Sequence, residues 1–230
     1  MRSSSKFYLM VLFFVLSSSV VCGQSNKKVA YGILIDNTGS LRSQFDQVLS
    51  YGKAVARHAT KKGPVSVFNF TSGGDRRNPL ALISGGSDWS QNPDELERFI
   101  EDIYVLGGQT TLLDAIDSMS RKLNAKVAEE KDTFSHGVLI LITDGEDRES
   151  RIKESDLVKQ LQKDGTQVFA IGLVQDLGAG NAFGSKGKQE KAEKLLRKLA
   201  QETGGRVIFP DAKNMDADKL VSDLFAPVNH

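Results

Sequence analysis

Apolar runs and amphipathic runs alternate along most of this chain. Val29–Asp36 and Val138–Thr143 are almost continuously apolar and rich in strand-forming residues, which is typical of strands buried on both faces. Over Leu41–Ala59 apolar residues instead recur every three or four positions, which predicts an amphipathic helix. The whole pattern predicts strands at Val29–Asp36, Val65–Thr71, Leu80–Ile83, Val138–Thr143, Gln167–Val174 and Arg206–Phe209, helices at 41–59, 93–103, 111–128, 156–163, 192–200 and 216–225, and an exposed loop at 178–187.

Strands that alternate with helices predict an α/β fold, doubly wound, with a mainly parallel central sheet and helices on both faces. The chain has 230 residues, of which 40% are apolar and 26% are charged, a balance typical of one folded domain. We predict that this domain covers residues 29–226, after a short linker at 24–28 and before a C-terminal tail at 227–230. A net charge of +1 gives no reason to expect nucleic acid as a partner.

The N-terminus has the composition of a secretory signal. Arg2 and Lys6 precede ten uninterrupted apolar residues, Phe7–Leu16, and small residues follow up to Gly23. Residues 1–23 are therefore predicted to be a signal peptide, and the mature chain to be secreted or periplasmic and without a membrane span. Two alternatives stay open, a lipid attached to Cys22 and an uncleaved anchor helix, although the apolar run is shorter than the roughly 20 residues that span a bilayer.

Three polar groupings fall where predicted strands end or helices begin. They are Asp36–Ser40, Gly107–Asp114 and Thr143–Asp147. In open α/β sheets, ligands bind outside the carboxyl ends of the strands. These groupings offer hydroxyls and carboxylates but no histidine or cysteine, and hard oxygen ligands favour Mg²⁺, Mn²⁺ or Ca²⁺ over Zn²⁺ or Cu²⁺.

The order and spacing of these residues resemble the metal-ion-dependent adhesion site of von Willebrand factor type A (vWA) domains, in which Asp-x-Ser-x-Ser is followed by a distant Thr and a distant Asp. Gln109 is one extra residue before the Thr, and the stretches LITDGEDRES and LAQETGGRVIFP are similar to secreted bacterial members. The resemblance implies a non-enzymatic domain that is monomeric alone. It also implies a divalent cation, Mg²⁺ first with Mn²⁺ or Ca²⁺ as alternatives, and a protein partner that supplies a Glu or Asp carboxylate. The implied metal ligands are Asp36, Thr38, Ser40, Thr110 and Asp144.

Residues beside the implied ligands have other interpretations. Asp114 is expected to support its loop through hydrogen bonds rather than to bind metal. Glu146 and Asp147 are interpreted as charges of a solvated loop. These carboxylates therefore stay outside the predicted ligand set.

Two other functions are compatible with the same residues. Asp36–Ser40 also resembles the phosphorylation motif of haloacid-dehalogenase-type phosphotransferases, in which Asp36 would be a Mg²⁺-assisted nucleophile. Asn37 stands where that motif has Lys, and Thr38 stands where the soluble phosphatases of that class have Asp, so this alternative is disfavoured. The third hypothesis is a metal-independent interaction module on the same fold.

Overall fold

A six-stranded sheet forms the centre of the computed structural model, which describes residues 27–70, 83–84, 86–107, 110–177, 185–211 and 216–226. The strand order is β3-β2-β1-β4-β5-β6. All neighbouring strands pair in parallel except β2 and β3, which are antiparallel. The strands are β1 (Lys28–Asp36), β2 (Val65–Phe70), β3 (Ile83–Ser84), β4 (Phe134–Thr143), β5 (Gln167–Gly172) and β6 (Val207–Ile208).

Helices cover both faces of this sheet, which confirms the predicted doubly wound α/β class. Helices α3, α4 and α5 pack on one face, and α1, α2 and α6 pack on the other. A short 3-10 helix, Gly39–Gln44, joins β1 to α1. The helices are α1 (Phe45–Ala59), α2 (Pro93–Glu101), α3 (Leu112–Glu129), α4 (Glu154–Asp164), α5 (Ser185–Glu202) and α6 (Ala217–Leu224).

The register between β1 and β4 places the polar strand ends side by side. Ile35 pairs with Ile142, and both are fully buried. Asp36 and Thr143 are the next residues on the two strands, and Asp144 follows directly. Because parallel strands end at the same edge of a sheet, the two carboxylates that the sequence separates by more than 100 residues meet at one edge.

The predicted and observed elements differ mainly at their ends. Helix α5 begins at Ser185, so the last positions of the predicted 178–187 loop are helical. The residues from Ser185 to Lys191 include a glycine and no large apolar residue, so their pattern shows no helical periodicity. Strand β3 is described at Ile83–Ser84 only, and the rest of the predicted strand at 80–82 lies outside the described residues.

The predicted signal peptide at 1–23, most of the linker and the tail at 227–230 also lie outside the described residues. Within the ranges given above, no helix combines the length and the apolar character that a membrane crossing requires.

Candidate metal centre

Asp36, the last residue of β1, organises the first polar grouping. Its side chain is fully buried, and its Oδ1 accepts hydrogen bonds from the Thr38 backbone N–H at 3.0 Å and from Thr38 Oγ1 at 2.7 Å. Thr38 Oγ1 also lies 3.1 Å from Ser40 Oγ. The turn after β1 therefore gathers one carboxylate and two hydroxyls, as the sequence predicted.

The loop after β4 is bonded directly to this turn. Thr143 Oγ1 donates a hydrogen bond of 2.7 Å to Asp36 Oδ2 and accepts one of 3.0 Å from the Gly145 N–H. The Glu146 N–H donates to Asp144 Oδ1 at 2.9 Å. Thr143 was not among the predicted site residues. Its hydroxyl contacts Asp36 because of the register between β1 and β4. This register could not be predicted from the sequence.

Thr110 reaches the same edge through its backbone. Its carbonyl accepts hydrogen bonds from the N–H groups of Arg148 at 2.9 Å and Glu149 at 3.3 Å, and the residue is buried. The preceding residues 108–109 lie outside the described part of the chain. The second polar grouping is thus fastened to the third, and the structure brings the loops of all five predicted ligands together.

Burial and mutual repulsion make the two carboxylates of this site unusual. Burial, and secondly the negative charge of Asp144, raise the pKa of Asp36 to about 7, although hydrogen bonds from Thr143 and Thr38 oppose the rise. Burial also raises the pKa of Asp144 above its ordinary value, against the hydroxyl of Ser40 and the N–H of Glu146. Asp144 Oδ2 is buried and accepts no hydrogen bond from any described residue. When both acids are ionised, this site therefore carries negative charge that its own hydrogen bonds satisfy incompletely.

The donor set fits a hard divalent cation. Two carboxylates and nearby hydroxyls are the oxygen ligands that Mg²⁺, Mn²⁺ and Ca²⁺ prefer. No cluster of three or more His, Cys, Asp or Glu side chains arranged to hold a metal occurs among the described residues. The sheet edge at Asp36 and Asp144 thus offers a site whose possible ligands are two carboxylates and neutral hydroxyls.

Asp114 supports the loop after β4. Its carboxylate accepts hydrogen bonds from the backbone N–H groups of Arg151 and Ile152, both at 3.0 Å. The backbone N–H of Asp114 itself donates to Ser150 Oγ at 3.1 Å. The expected supporting role of Asp114 is therefore confirmed.

The neighbouring acids differ from the solvated charges that the sequence suggested. Asp147 Oδ1 accepts a hydrogen bond of 3.2 Å from the N–H of Leu113, in the first turn of α3. The Glu146 side chain is only 13% exposed and forms ion pairs with Arg148 at 2.6 Å and Lys188 at 3.6 Å. The contacts with Leu113 and Lys188 join the loop after β4 to α3 and α5, which are distant in sequence, so sequence spacing alone could not show them.

Asn37 is a second residue that sequence reasoning missed. It is buried, its Nδ2 donates to the Tyr104 carbonyl at 3.0 Å, and its own carbonyl accepts from the Leu106 N–H at 2.8 Å. These bonds hold the loop after α2 beside Asp36. They leave the Tyr104 side chain 68% exposed on the flank of the site.

Comparison with known proteins identifies the family. Residues 32–223 match the family model of the von Willebrand factor type A domain. No curated protein sequence matches the chain significantly.

Solved structures show the same fold. The pilus adhesin SpaC from Lactobacillus rhamnosus GG, in an open conformation, is 14% identical with a TM-score of 0.60 over 87% of this chain and 30% of that one. Proximal thread matrix protein 1 from the mussel byssus is also 14% identical, with a TM-score of 0.60 over 86% of this chain and 47% of that one. A von Willebrand factor type A protein from Catenulispora acidiphila is 17% identical, with a TM-score of 0.55 over 86% of this chain and 41% of that one.

This chain therefore spans less than half the length of each of these three structures. At such low identity the likeness shows the fold alone, whereas the family match covers most of the chain. The chain belongs to the von Willebrand factor type A family, whose members are generally non-enzymatic protein-interaction modules.

Proposed function

We propose that this chain binds a protein partner through a divalent cation, which Asp36, Thr38, Ser40, Thr110 and Asp144 hold and which a Glu or Asp carboxylate of the partner completes. The observation that carries the proposal is the buried Asp144 Oδ2, which accepts no hydrogen bond from the described residues and belongs to a carboxylate whose charge acts on the second buried carboxylate, that of Asp36. A buried acceptor without a donor costs free energy. A cation that displaces protons from the two acids would supply the missing partner of this oxygen.

The chain's own residues prepare the site. Thr143 and Thr38 fix both oxygens of Asp36, so this carboxylate is held in one orientation. Hydroxyls supply the remaining ligands, which keeps the number of acids at two. When bound, a divalent cation neutralises these acids and offers an open position to an anionic oxygen of the partner. We propose Mg²⁺ as the resident ion, with Mn²⁺ and Ca²⁺ as alternatives.

We also propose that the mature chain acts outside the cytoplasm, secreted or in a periplasm. The signal-like composition of residues 1–23 supports this location. One protein of similar fold is named a pilus adhesin, which agrees with an adhesive role. Metal-independent binding through the same fold remains the main alternative, and a phosphotransferase is the second.

The two residues after Asp36 weigh against the phosphotransferase. Asn37 stands where the phosphorylation motif has Lys, and its buried side chain donates a hydrogen bond to the Tyr104 carbonyl, so it offers no cation to a phosphate. Thr38 stands where the soluble phosphatases of that class have Asp, so no second carboxylate follows Asp36 at that position to act as acid or base. These substitutions disfavour a nucleophilic role for Asp36.

The proposal is tested by calorimetric and thermal-shift titration of EDTA-stripped protein with Mg²⁺, Mn²⁺ and Ca²⁺. A ligand at 100 times its dissociation constant should stabilise the fold by about 2.7 kcal/mol. We expect saturable binding that the Asp36→Ala variant loses while it stays folded. Asp132→Ala, which removes an exposed carboxylate from the turn before β4, should bind as the native chain does.

Failure of all three ions to bind would contradict the metal-centred proposal and favour the metal-independent module. Stable phosphorylation of Asp36 by acetyl phosphate with Mg²⁺ would instead establish the phosphotransferase.

A further inference from the structure

A cleft of about 710 Å³ opens directly beside the candidate metal centre. One wall is the loop from Gly145 to Arg148, which begins at the residue after Asp144, and the opposite wall is α5. Its volume lies in the range of ordinary ligand sites, roughly 300–1,000 Å³. We call it the basic cleft, after the cations that line it: Arg148, Lys188, Lys191, Lys194 and Lys198.

The four lysines come from one side of α5. Lys188, Lys191, Lys194 and Lys198 follow each other at intervals of three or four residues, so they project from the same helix face. A row of cations along a helix is often no more than a solvated surface. Here, however, the row borders a concave space whose other side is the loop after Asp144.

The three carboxylates that line the basic cleft are already engaged. Glu146 pairs with Arg148 and Lys188, and Glu154 pairs with Lys198 at 2.7 Å. Asp147 accepts hydrogen bonds from Ser150 and from the backbone of α3.

Two cations of the basic cleft have no carboxylate partner among the described residues. Lys191 and Lys194 are exposed, and neither forms an ion pair with a carboxylate of the described residues, unlike Lys188 and Lys198. The cleft thus carries five cations against three carboxylates. Its surplus positive charge is concentrated at these two lysines.

The floor of the basic cleft is apolar. Leu113, Ala192 and Leu195 form it, and the aliphatic stems of the lysines add apolar surface to the cleft. A polyphosphate or sulfated chain would satisfy the ammonium groups of the lysines but would leave this apolar surface uncovered. A peptide that carries both carboxylates and aliphatic side chains matches both features, because alternate side chains of an extended peptide point to opposite sides.

We propose that an acidic peptide segment of the protein partner binds in the basic cleft, with carboxylates at Lys191 and Lys194 and aliphatic side chains on the floor of Leu113, Ala192 and Leu195. The inference rests on the proposed function, since the same partner would reach the cation at Asp144 and the cleft that begins at Gly145. It adds the partner's chemistry: an acidic, partly aliphatic segment that extends beyond a single metal-binding carboxylate.

The test is fluorescence polarisation with a short fluorescein-labelled peptide of alternating glutamate and leucine, measured in Mg²⁺ and in EDTA. The variant Lys191→Glu with Lys194→Glu reverses the surplus charge. Lys159→Glu with Lys163→Glu is the matched control, because it makes the same change in net charge on exposed positions of α4. A peptide of alternating glutamine and leucine, a heparin fragment and oligothymidylate serve as comparison ligands.

We expect the glutamate–leucine peptide to bind the native chain and the α4 control equally, and the α5 variant at least about tenfold more weakly. The glutamine–leucine peptide should bind poorly, and binding should weaken as salt rises. No binding of the acidic peptide, equal losses in both double variants, or stronger binding of heparin or oligothymidylate would each overturn the inference.

A Mg²⁺ titration of the same proteins separates the two proposals. Saturable Mg²⁺ binding by the α5 variant, together with lost peptide binding, assigns the loss to the basic cleft. If the native chain binds the peptide in EDTA but never binds Mg²⁺, the cleft inference stands and the metal-centred function fails.

Discussion

Asp36 lies at a position where burial and a neighbouring negative charge disfavour the ionised form of its side chain. A carboxylate at the end of a central strand is removed from water, and Asp144 adds a second negative charge nearby. Three hydrogen bonds from Thr38 and Thr143 compensate only in part. Such an arrangement reduces the stability of the metal-free fold, and proteins commonly retain strain of this kind at functional sites.

The Asp36→Asn variant tests whether the buried charge of Asp36 destabilises the metal-free fold. It keeps the shape of the side chain and removes its charge, so we expect the free energy of unfolding in EDTA at about pH 8 to rise by roughly 1–3 kcal/mol. Stabilisation by Mg²⁺ should disappear at the same time. Urea unfolding of both proteins, with and without Mg²⁺, measures the two effects. A variant that is less stable than the native chain in EDTA would contradict the account.

Gly145 has a similar constraint in its backbone. Its φ is +76°, and a Cβ at this position would lie 3.0 Å from Leu196 Cδ1 and 3.1 Å from Ala192 Cβ. We expect Gly145→Ala to destabilise the fold by about 2–3 kcal/mol, through the left-handed conformation and the crowding. It should also weaken Mg²⁺ binding, because Asp144 is the preceding residue.

Gly165→Ala is the matched control for Gly145→Ala. Gly165 has a φ of +67°, yet among the described residues no atom beyond the glycine's own chain neighbours lies within 4 Å of a Cβ placed there. The control should show the backbone cost alone, about 1–2 kcal/mol, with unchanged Mg²⁺ binding. Equal effects of the two substitutions on unfolding and on Mg²⁺ titration would show that the crowding at Gly145 has no consequence.

At the scale of the elements, the sequence predicted a helix start that a capping residue marks and missed one that no local signal marks. Asn92 was predicted to begin α2, and its side chain does accept the Asp94 N–H at 3.1 Å. The start of α5 at Ser185 was missed. Its first two turns are charged and contain Gly187, so neither apolar periodicity nor helix propensity marks them.

Asn92→Ala tests the capping contact on α2. Loss of an N-cap side chain costs about 1 kcal/mol, and we expect the free energy of unfolding to fall by that amount. Because α2 contributes no predicted metal ligand, the stabilisation by Mg²⁺ should not change. Chemical unfolding with and without Mg²⁺ is the measurement. A changed Mg²⁺ effect would mean that the metal centre depends on α2.

The attachment of α6 to α1 predicts a pH dependence. The ring of His58 stacks on Phe225, just after α6, with centroids 4.8 Å apart. Burial, and then the charges of Lys62 and Lys61, lower the pKa of His58 below its usual value. The unfolded chain therefore takes up this proton at a higher pH than the folded chain, and stability is lost as the pH falls below about 6.5.

His58→Phe keeps an aromatic ring against Phe225 and removes the titration. We expect the free energy of unfolding of the native chain to fall relative to that of the variant as the pH decreases from about 7.5 to 5.5. Urea unfolding of both proteins at several pH values measures this difference. Parallel pH curves for the two proteins would show that His58 protonation does not affect the stability of the fold.

At the scale of the whole molecule, the alternation of strands and helices was enough to predict a doubly wound sheet. The three polar groupings could be placed at one edge because parallel strands share their carboxyl ends. The contact between Thr143 and Asp36 could not be predicted, since it depends on the register of β1 against β4. The basic cleft was equally hidden, because it forms only where α5 packs beside the loop after Asp144.

The most direct test of the central claim is an anomalous difference map from crystals of the chain grown with MnCl₂. The account predicts one strong peak within bonding distance of oxygens of Asp36 or Asp144 and of the hydroxyls of Thr38, Ser40 and Thr110, and no such peak in Asp36→Ala crystals. Mn²⁺ absent from this edge at saturating concentration, or bound only elsewhere on the molecule, would contradict the claim that these residues form a metal centre.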